Sequence, residues 1–178
     1  MDFDVLPENC MASEALEFID SLPWQEVTHA YGNAGDAPTE LRRLLSDDED
    51  ERMDAICGFL LSSVFHQYSI YPATPYAIAS VIRILESGAI NALDSGMGDS
   101  MASQLLHFIR ICAERGQASI EGTPHLLAPT IEDATASGRQ LYEVMSKDAC
   151  PKVRAEAEAL LGSVAKNQGA EQGVDPSA

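Results

Sequence analysis

Positive charge is scarce in this chain. Its 178 residues hold 11 Lys and Arg against 28 Asp and Glu, a formal net charge of −17. Phosphate backbones are held by clustered Lys and Arg, so no direct nucleic-acid binding is expected. The sign suits a protein that repels acidic surfaces and attracts basic ones. The imbalance is uneven. Residues 1–60 carry 15 acids and 3 bases, residues 61–120 carry 4 and 3, and residues 121–178 carry 9 and 5. Most of the negative field therefore comes from the first third.

Other things are missing too. Aromatics make up only 6% of the chain. The four cysteines, Cys10, Cys57, Cys112 and Cys150, include no close pair. Two of them lie on apolar helical stripes, and they read as reduced, buried residues of a cytoplasmic protein. The opening MDFDVLPENC has no basic stretch followed by an apolar one, so no secretory signal is expected. Ala55 to Ile82 lacks Asp, Glu, Lys and Arg, but His66, Gln67, serines and two prolines interrupt it. A membrane span needs about 20 mostly apolar residues, so none is expected. No two histidines among His29, His66, His107 and His125 are three or four apart, which leaves no helical metal pair and no metal or cofactor site. The acids from Asp47 to Glu51 lack the spacing of a calcium loop. Ser95-Gly96 follows no strand and is no nucleophile elbow, and no cysteine sits in a catalytic motif.

What is present is helical periodicity. Met53, Ile56, Cys57, Leu60, Leu61 and Val64 form one apolar stripe. Asp48 and Glu51 mark its start, the first accepting from free N–H groups and the second reaching back. A shorter stripe, Leu41, Leu44 and Leu45, precedes it behind Asp36 and Pro38. Ile78, Val81, Ile82 and Leu85 follow behind Pro72 and Pro75. The short Ser46-Asp47 break sets the first two helices antiparallel. Elsewhere the pattern predicts helices over Met11–Ile19, over PWQEVTHAYG ending at Gly32, from Asp99 to Arg115, from Thr130 through Met145, and from Pro151 to Val164. A short helical turn is expected at Ile90–Leu93. SVFHQYSIY is the nearest approach to a strand, but its first half completes a helical stripe.

Residues 41–61 and 141–161 align at an offset of 100. Leu41, Ser46, Asp48, Ala55, Leu60 and Leu61 recur as Leu141, Ser146, Asp148, Ala155, Leu160 and Leu161. Both copies read helix, tight acidic break, helix, the signature of stacked hairpins. The second copy, with Asp148, Pro151, Val153, Arg154, Ala155 and Leu160, resembles a HEAT repeat. The first departs from it by holding Asp54 in the arginine slot, with Arg52 two residues earlier. The run from Leu22 to Leu85, with Trp24, His29-Ala30-Tyr31-Gly32 and a later His66-Gln67 segment, is similar to bacterial HEAT-like proteins. That resemblance implies a helical-repeat fold and no assigned catalytic role.

The expectation is an all-α chain of about seven or eight helices, stacked as a short, irregular HEAT- or armadillo-like α-solenoid. Residues 1–10 form a flexible N-terminus, 11–165 one repeat domain and 166–178 a disordered tail. Two readings stand for the histidines. In one, His29 and His66 cap helix ends. In the other, Trp24, His29, Tyr31, His66, Gln67 and Tyr71 line one binding patch. Asp47, Asp48, Glu49, Asp50 and Glu51 are either a solvated helix start or an acidic face for a basic partner. The leading functional expectation is a non-enzymatic protein-binding module, in its specific form an inhibitor or immunity-type protein that neutralises a basic partner. The alternatives are a scaffold or regulatory adaptor, and a HEAT-like enzyme acting on nucleic acid.

Overall fold

The computed structural model of the chain describes residues 8–90, 100–116 and 129–171. It is mostly helical. The order is α1 (Glu8–Ser21), a 3₁₀ turn (Trp24–Glu26), β1 (Thr28–His29), β2 (Gly32–Asn33), α2 (Ala37–Arg43) and α3 (Glu49–Met53). A π-helical segment (Asp54–Val64) continues α3, then come β3 (Phe65–His66), β4 (Ser69–Ile70), α4 (Thr74–Glu86), α5 (Met101–Gly116), α6 (Ile131–Ser137), α7 (Arg139–Met145) and α8 (Pro151–Glu171). None of these helices is long and apolar enough to cross a membrane.

The short helix expected over PWQEVTHAYG is replaced by the 3₁₀ turn and a two-stranded hairpin. Gly32, at φ +124°, turns the chain where a side chain would be strained. Trp24 closes the entry, its Nε1–H donating to the Ile19 carbonyl at 2.7 Å. A second hairpin forms inside SVFHQYSIY, the run that comes nearest to a strand in the sequence but whose first half fits a helical stripe. The register of the first, Thr28 opposite Asn33 and His29 opposite Gly32, recurs in the second as Phe65 opposite Ile70 and His66 opposite Ser69. Each hairpin leads into a helix with proline in its first turn, Pro38 in α2 and Pro75 in α4. Among the described residues a hairpin-helix unit therefore occurs twice.

The two units lock onto one helix end. The last carbonyls of the π-helical segment need donors. Ser62 is served by the His66 Nδ1–H at 2.8 Å, Ser63 by the Ala30 N–H at 3.0 Å, and Val64 by the Thr74 hydroxyl at 2.8 Å. The i→i+5 pattern also moves the buried stripe. Ala55, Ile56, Phe59, Leu60, Ser63 and Val64 are buried, repeating about every four residues, while Met53, Cys57 and Leu61 sit half-buried at the margin.

One core runs through these elements, with Ile19, Leu41, Leu44, Leu60, Ile78, Val81, Leu105, Phe108, Ile109 and Leu160 at its centre. Each such side chain contributes about 1.5–3 kcal/mol by leaving water. α4 packs on α1, α5 and α6, and α8 covers α5 and α7. Helix ends carry their own signals. Thr130 and Asp133 form a reciprocal capping box at α6. The Ser100 hydroxyl accepts from the Ser103 N–H at the start of α5. The helix expected from Thr130 through Met145 is broken at Gly138 into α6 and α7. α1 begins upstream of Met11, and the α8 backbone runs past Val164 to Glu171, into the segment expected to be a tail. The expected turn at Ile90–Leu93 lies, beyond Ile90, outside the described residues.

Candidate functional site

The hairpin tips bring together most of the predicted aromatic and histidine residues. His29 is 7% exposed and has both ring nitrogens occupied. Its Nδ1 accepts the Tyr31 backbone N–H at 3.1 Å. A backbone N–H only donates, so the proton must be on Nε2, which donates to the Asp36 carboxylate at 3.0 Å. The ring also stands edge-on to Phe59, with centroids 6.1 Å apart. His29 thus ties its hairpin to the start of α2.

His66 occupies the equivalent place in the second hairpin with the opposite tautomer. Its Nδ1 lies 2.8 Å from the Ser62 carbonyl, which only accepts, so Nδ1 carries the proton. In the neutral ring Nε2 is then the lone-pair acceptor, with no partner among the described residues. The Tyr31 ring stands edge-on to this imidazole, with centroids 5.4 Å apart and its hydroxyl 3.4 Å from Nδ1. Tyr31 is 68% exposed. The contact joins the tip of the first hairpin to the residue just before the tip of the second.

Gln67 and Tyr68 form the second tip in the left-handed region, at φ +48° and +64°. Such backbone is uncommon for residues other than glycine and costs about 1 kcal/mol or more per residue. Tyr68 is turned outward, 71% exposed, with the Arg115 guanidinium 4.9 Å from its ring centroid. Neither Tyr68 nor Arg115 figured among the sequence candidates. The signal was present as Val27-x-His29-x-Tyr31 and Val64-x-His66-x-Tyr68, the same spacing in both hairpins. Tyr71 is half-buried beside Thr74, whose hydroxyl accepts its N–H. Trp24 does not share this surface: it is buried in the core, edge-on to Tyr76.

The acidic candidates lie elsewhere. Asp47, Asp48, Glu49, Asp50 and Glu51 are all exposed at the turn between α2 and α3. From there the chain rises through Glu49–Val64 before reaching the hairpins, a separation of roughly 20 Å at the helical rise per residue. The two sets of candidates therefore occupy opposite ends of the α2–α3 helical pair. Asp48 caps α3 by accepting the Asp50 N–H at 2.9 Å. Glu51 reaches back to the Ser46 hydroxyl, which itself accepts the Asp48 N–H. The expected direct bond from Glu51 to the Asp48 N–H is thus relayed through a serine.

No ion pair among the described residues involves any of these five acids. Several acids elsewhere are paired: Asp20 with Arg42, Glu40 and Asp54 with Arg43, and Glu156 and Glu114 with Arg110. The hydrogen bonds that Arg43 donates to Glu40 and then Asp54 push its guanidinium further up, and the bond that Arg110 donates to Glu156 does the same there.

Other clusters offer less. A depression of about 260 Å³ between α1 and α4 is lined by Met11, Glu14, Ala15, Phe18, Arg83, Glu86 and Ser87. Its one cation is engaged, since Arg83 pairs with Glu86 at 3.1 Å and lies over the Phe18 ring. His107 bonds Glu156 and helps tie α5 to α8. Burial pushes the Cys112 thiol well up, which keeps it protonated and unreactive. Among the described residues no group of three His, Cys, Asp or Glu side chains is placed to hold a metal ion. His125 lies outside the described residues.

Comparison of the chain with protein-family models, curated proteins and solved structures finds no match.

Proposed function

We propose that this chain is a non-enzymatic protein-binding module that acts in the cytoplasm by neutralising a basic protein partner. We further propose that its helices form a short, irregular HEAT-like α-solenoid. Arg52 and Arg154 support the repeat reading. The Arg52 Nη1 donates to the Ser46 carbonyl at 2.8 Å, and the Arg154 Nη1 donates to the Asp148 carbonyl at 2.6 Å. Each arginine reaches back six residues to the break before its helix, so Arg52 takes the role that the sequence pattern places at Asp54.

The observation that carries the functional reading is the unpaired acidic turn. Five consecutive carboxylates stand in solvent with no ion pair among the described residues, whereas Asp20, Glu40, Asp54, Glu86, Glu114, Glu143 and Glu156 are each paired with an arginine. Like charges crowded on one turn repel one another, and the approach of a basic surface relieves that repulsion. Such a patch steers encounter and governs the association rate more than the final affinity.

The test is capture on the immobilised full chain from native lysate at low and at moderate salt. A basic protein should be retained, identified by mass spectrometry, and its purified form should associate more slowly as salt rises. Changing Asp47→Asn, Glu49→Gln and Asp50→Asn together, which leaves the Asp48 cap in place, should slow association several-fold. Retention only of acidic proteins, or an association rate indifferent to salt, would overturn the reading.

A further inference from the structure

The two hairpin-helix units differ in what covers the tyrosine at the tip. In the second unit, Tyr68 presents its ring outward and the chain's own Arg115 lies over it, 4.9 Å from the centroid. In the first unit, Tyr31 presents its ring at the matching position, 68% exposed, and no cation of the described residues covers it. Beside Tyr31 stands His66, edge-on at 5.4 Å. The Ser62 carbonyl holds a His66 proton on Nδ1, so in the neutral ring Nε2 is an acceptor without a partner among the described residues. The corner therefore joins an aromatic ring that attracts cations to a fixed acceptor that needs an N–H.

We infer that the Tyr31–His66 corner receives one arginine side chain of a basic protein partner. This rests on the functional reading above and deepens it. The guanidinium lies against the Tyr31 ring, as Arg115 lies against Tyr68, and one of its N–H groups donates to His66 Nε2. Arginine suits the corner better than lysine, because a planar guanidinium stacks on a ring and donates at its edge simultaneously. Charge agrees with this occupant: the stretch from Leu22 to Thr39, which carries Tyr31, holds Glu26 and Asp36 and no Lys or Arg. Rigidity agrees as well. His29 accepts the Tyr31 backbone N–H and is anchored in turn by Asp36, so the turn that carries the ring is already set before binding.

The experiment titrates the full chain with an oligoarginine peptide, and with the same peptide carrying citrulline in place of arginine. The native chain should bind the first and not the second. Tyr31→Ala should weaken oligoarginine binding about tenfold, and Tyr31→Phe, which keeps the ring, no more than about twofold. His66→Asn keeps an N–H for the Ser62 carbonyl and removes the Nε2 acceptor, so it should weaken binding several-fold while melting close to the native chain. Equal binding of oligoarginine by the native and Tyr31→Ala chains would overturn the inference, as would equal binding of the citrulline peptide. Failure here leaves the functional reading separately testable, since the acidic-turn triple variant alters salt-dependent association whether or not Tyr31 takes part.

Discussion

His29 and His66 hold the same place in two successive hairpins and carry their protons on opposite nitrogens. The Tyr31 N–H fixes His29 as the Nε2–H form, and the Ser62 carbonyl fixes His66 as the Nδ1–H form. The first ring is spent entirely on the fold, and the second keeps one nitrogen for something else. Long-range ¹⁵N–¹³C imidazole spectra at pH 7.5 should show the two tautomers directly. An Nε2–H signal for His66 would remove the acceptor on which the arginine corner depends. In a double-mutant cycle, the His29–Asp36 hydrogen bond should couple by about 1 kcal/mol, a modest figure because Asp36 is half exposed.

Arg52 and Arg154 make the same backward bond from different depths. Arg52 is 5% exposed, whereas Arg154 is only half-buried. Removing a buried donor leaves the Ser46 carbonyl short of a partner, so Arg52→Ala should cost about 2–3 kcal/mol. Arg154→Ala, where water replaces the lost donor, should cost under about 1 kcal/mol. Lysine at position 52 should not rescue, because its single ammonium cannot reproduce the planar fork. Urea unfolding of the three variants tests the order. Equal losses at the two positions would mean that burial does not set the value of the bond.

Legibility divides along physical lines. The helices of α2, α4, α5 and α8 were readable because their faces repeat every three to four residues, and α2, α4 and α8 also carry Pro38, Pro75 and Pro151 at their starts. The hairpins were not, because each strand is two residues long and shows no alternation to detect. What makes them is local: a glycine at φ +124°, two residues in the left-handed region, and long-range bonds such as Ala30 to Ser63 and Ala73 to Thr28. Trp24, Tyr31 and His66 were singled out by type, and type alone does not separate a buried tryptophan from an exposed tyrosine. The π-helical register was equally hidden, since the stripe through Met53 and Leu61 fits an α-helix and the observed burial follows Phe59 and Ser63.

Gly138 marks a steric constraint rather than a conformational one. Its φ of −84° suits any residue. A β-carbon there would lie 2.5 Å from the Tyr142 hydroxyl oxygen, 2.6 Å from Cζ and 3.0 Å from Ile82 Cδ1. Gly138→Ala should therefore destabilise by about 1–3 kcal/mol through overpacking, although alanine is the better helix former. Tyr142→Phe should not rescue it, because the Cζ contact persists. Alone, Tyr142→Phe should raise stability by up to about 1 kcal/mol, since the buried hydroxyl has no hydrogen-bond partner among the described residues. A stabilising Gly138→Ala would show that α4 gives way.

The same hydroxyl makes the protein sensitive to alkali. Burial, followed by the charge of Glu86, pushes the Tyr142 phenol well above its ordinary value, and burial alone does so for the Cys112 thiol. Unfolded, these groups release their protons near about pH 10 and 8.5. Folded, they keep them, so between those values and the raised ones the folded chain binds more protons than the unfolded chain. Stability must then fall as pH rises, by up to about 1.4 kcal/mol per pH unit for each group. The contribution is intact below about pH 8 and is lost progressively above it. Urea midpoints at pH 7.5, 9, 10 and 10.5 should fall more steeply for the native chain than for Tyr142→Phe once pH exceeds about 10. Parallel curves would mean that Tyr142 ionises as readily in the fold as out of it, and that the packing of Gly138 and Ile82 around it is looser than these contacts imply.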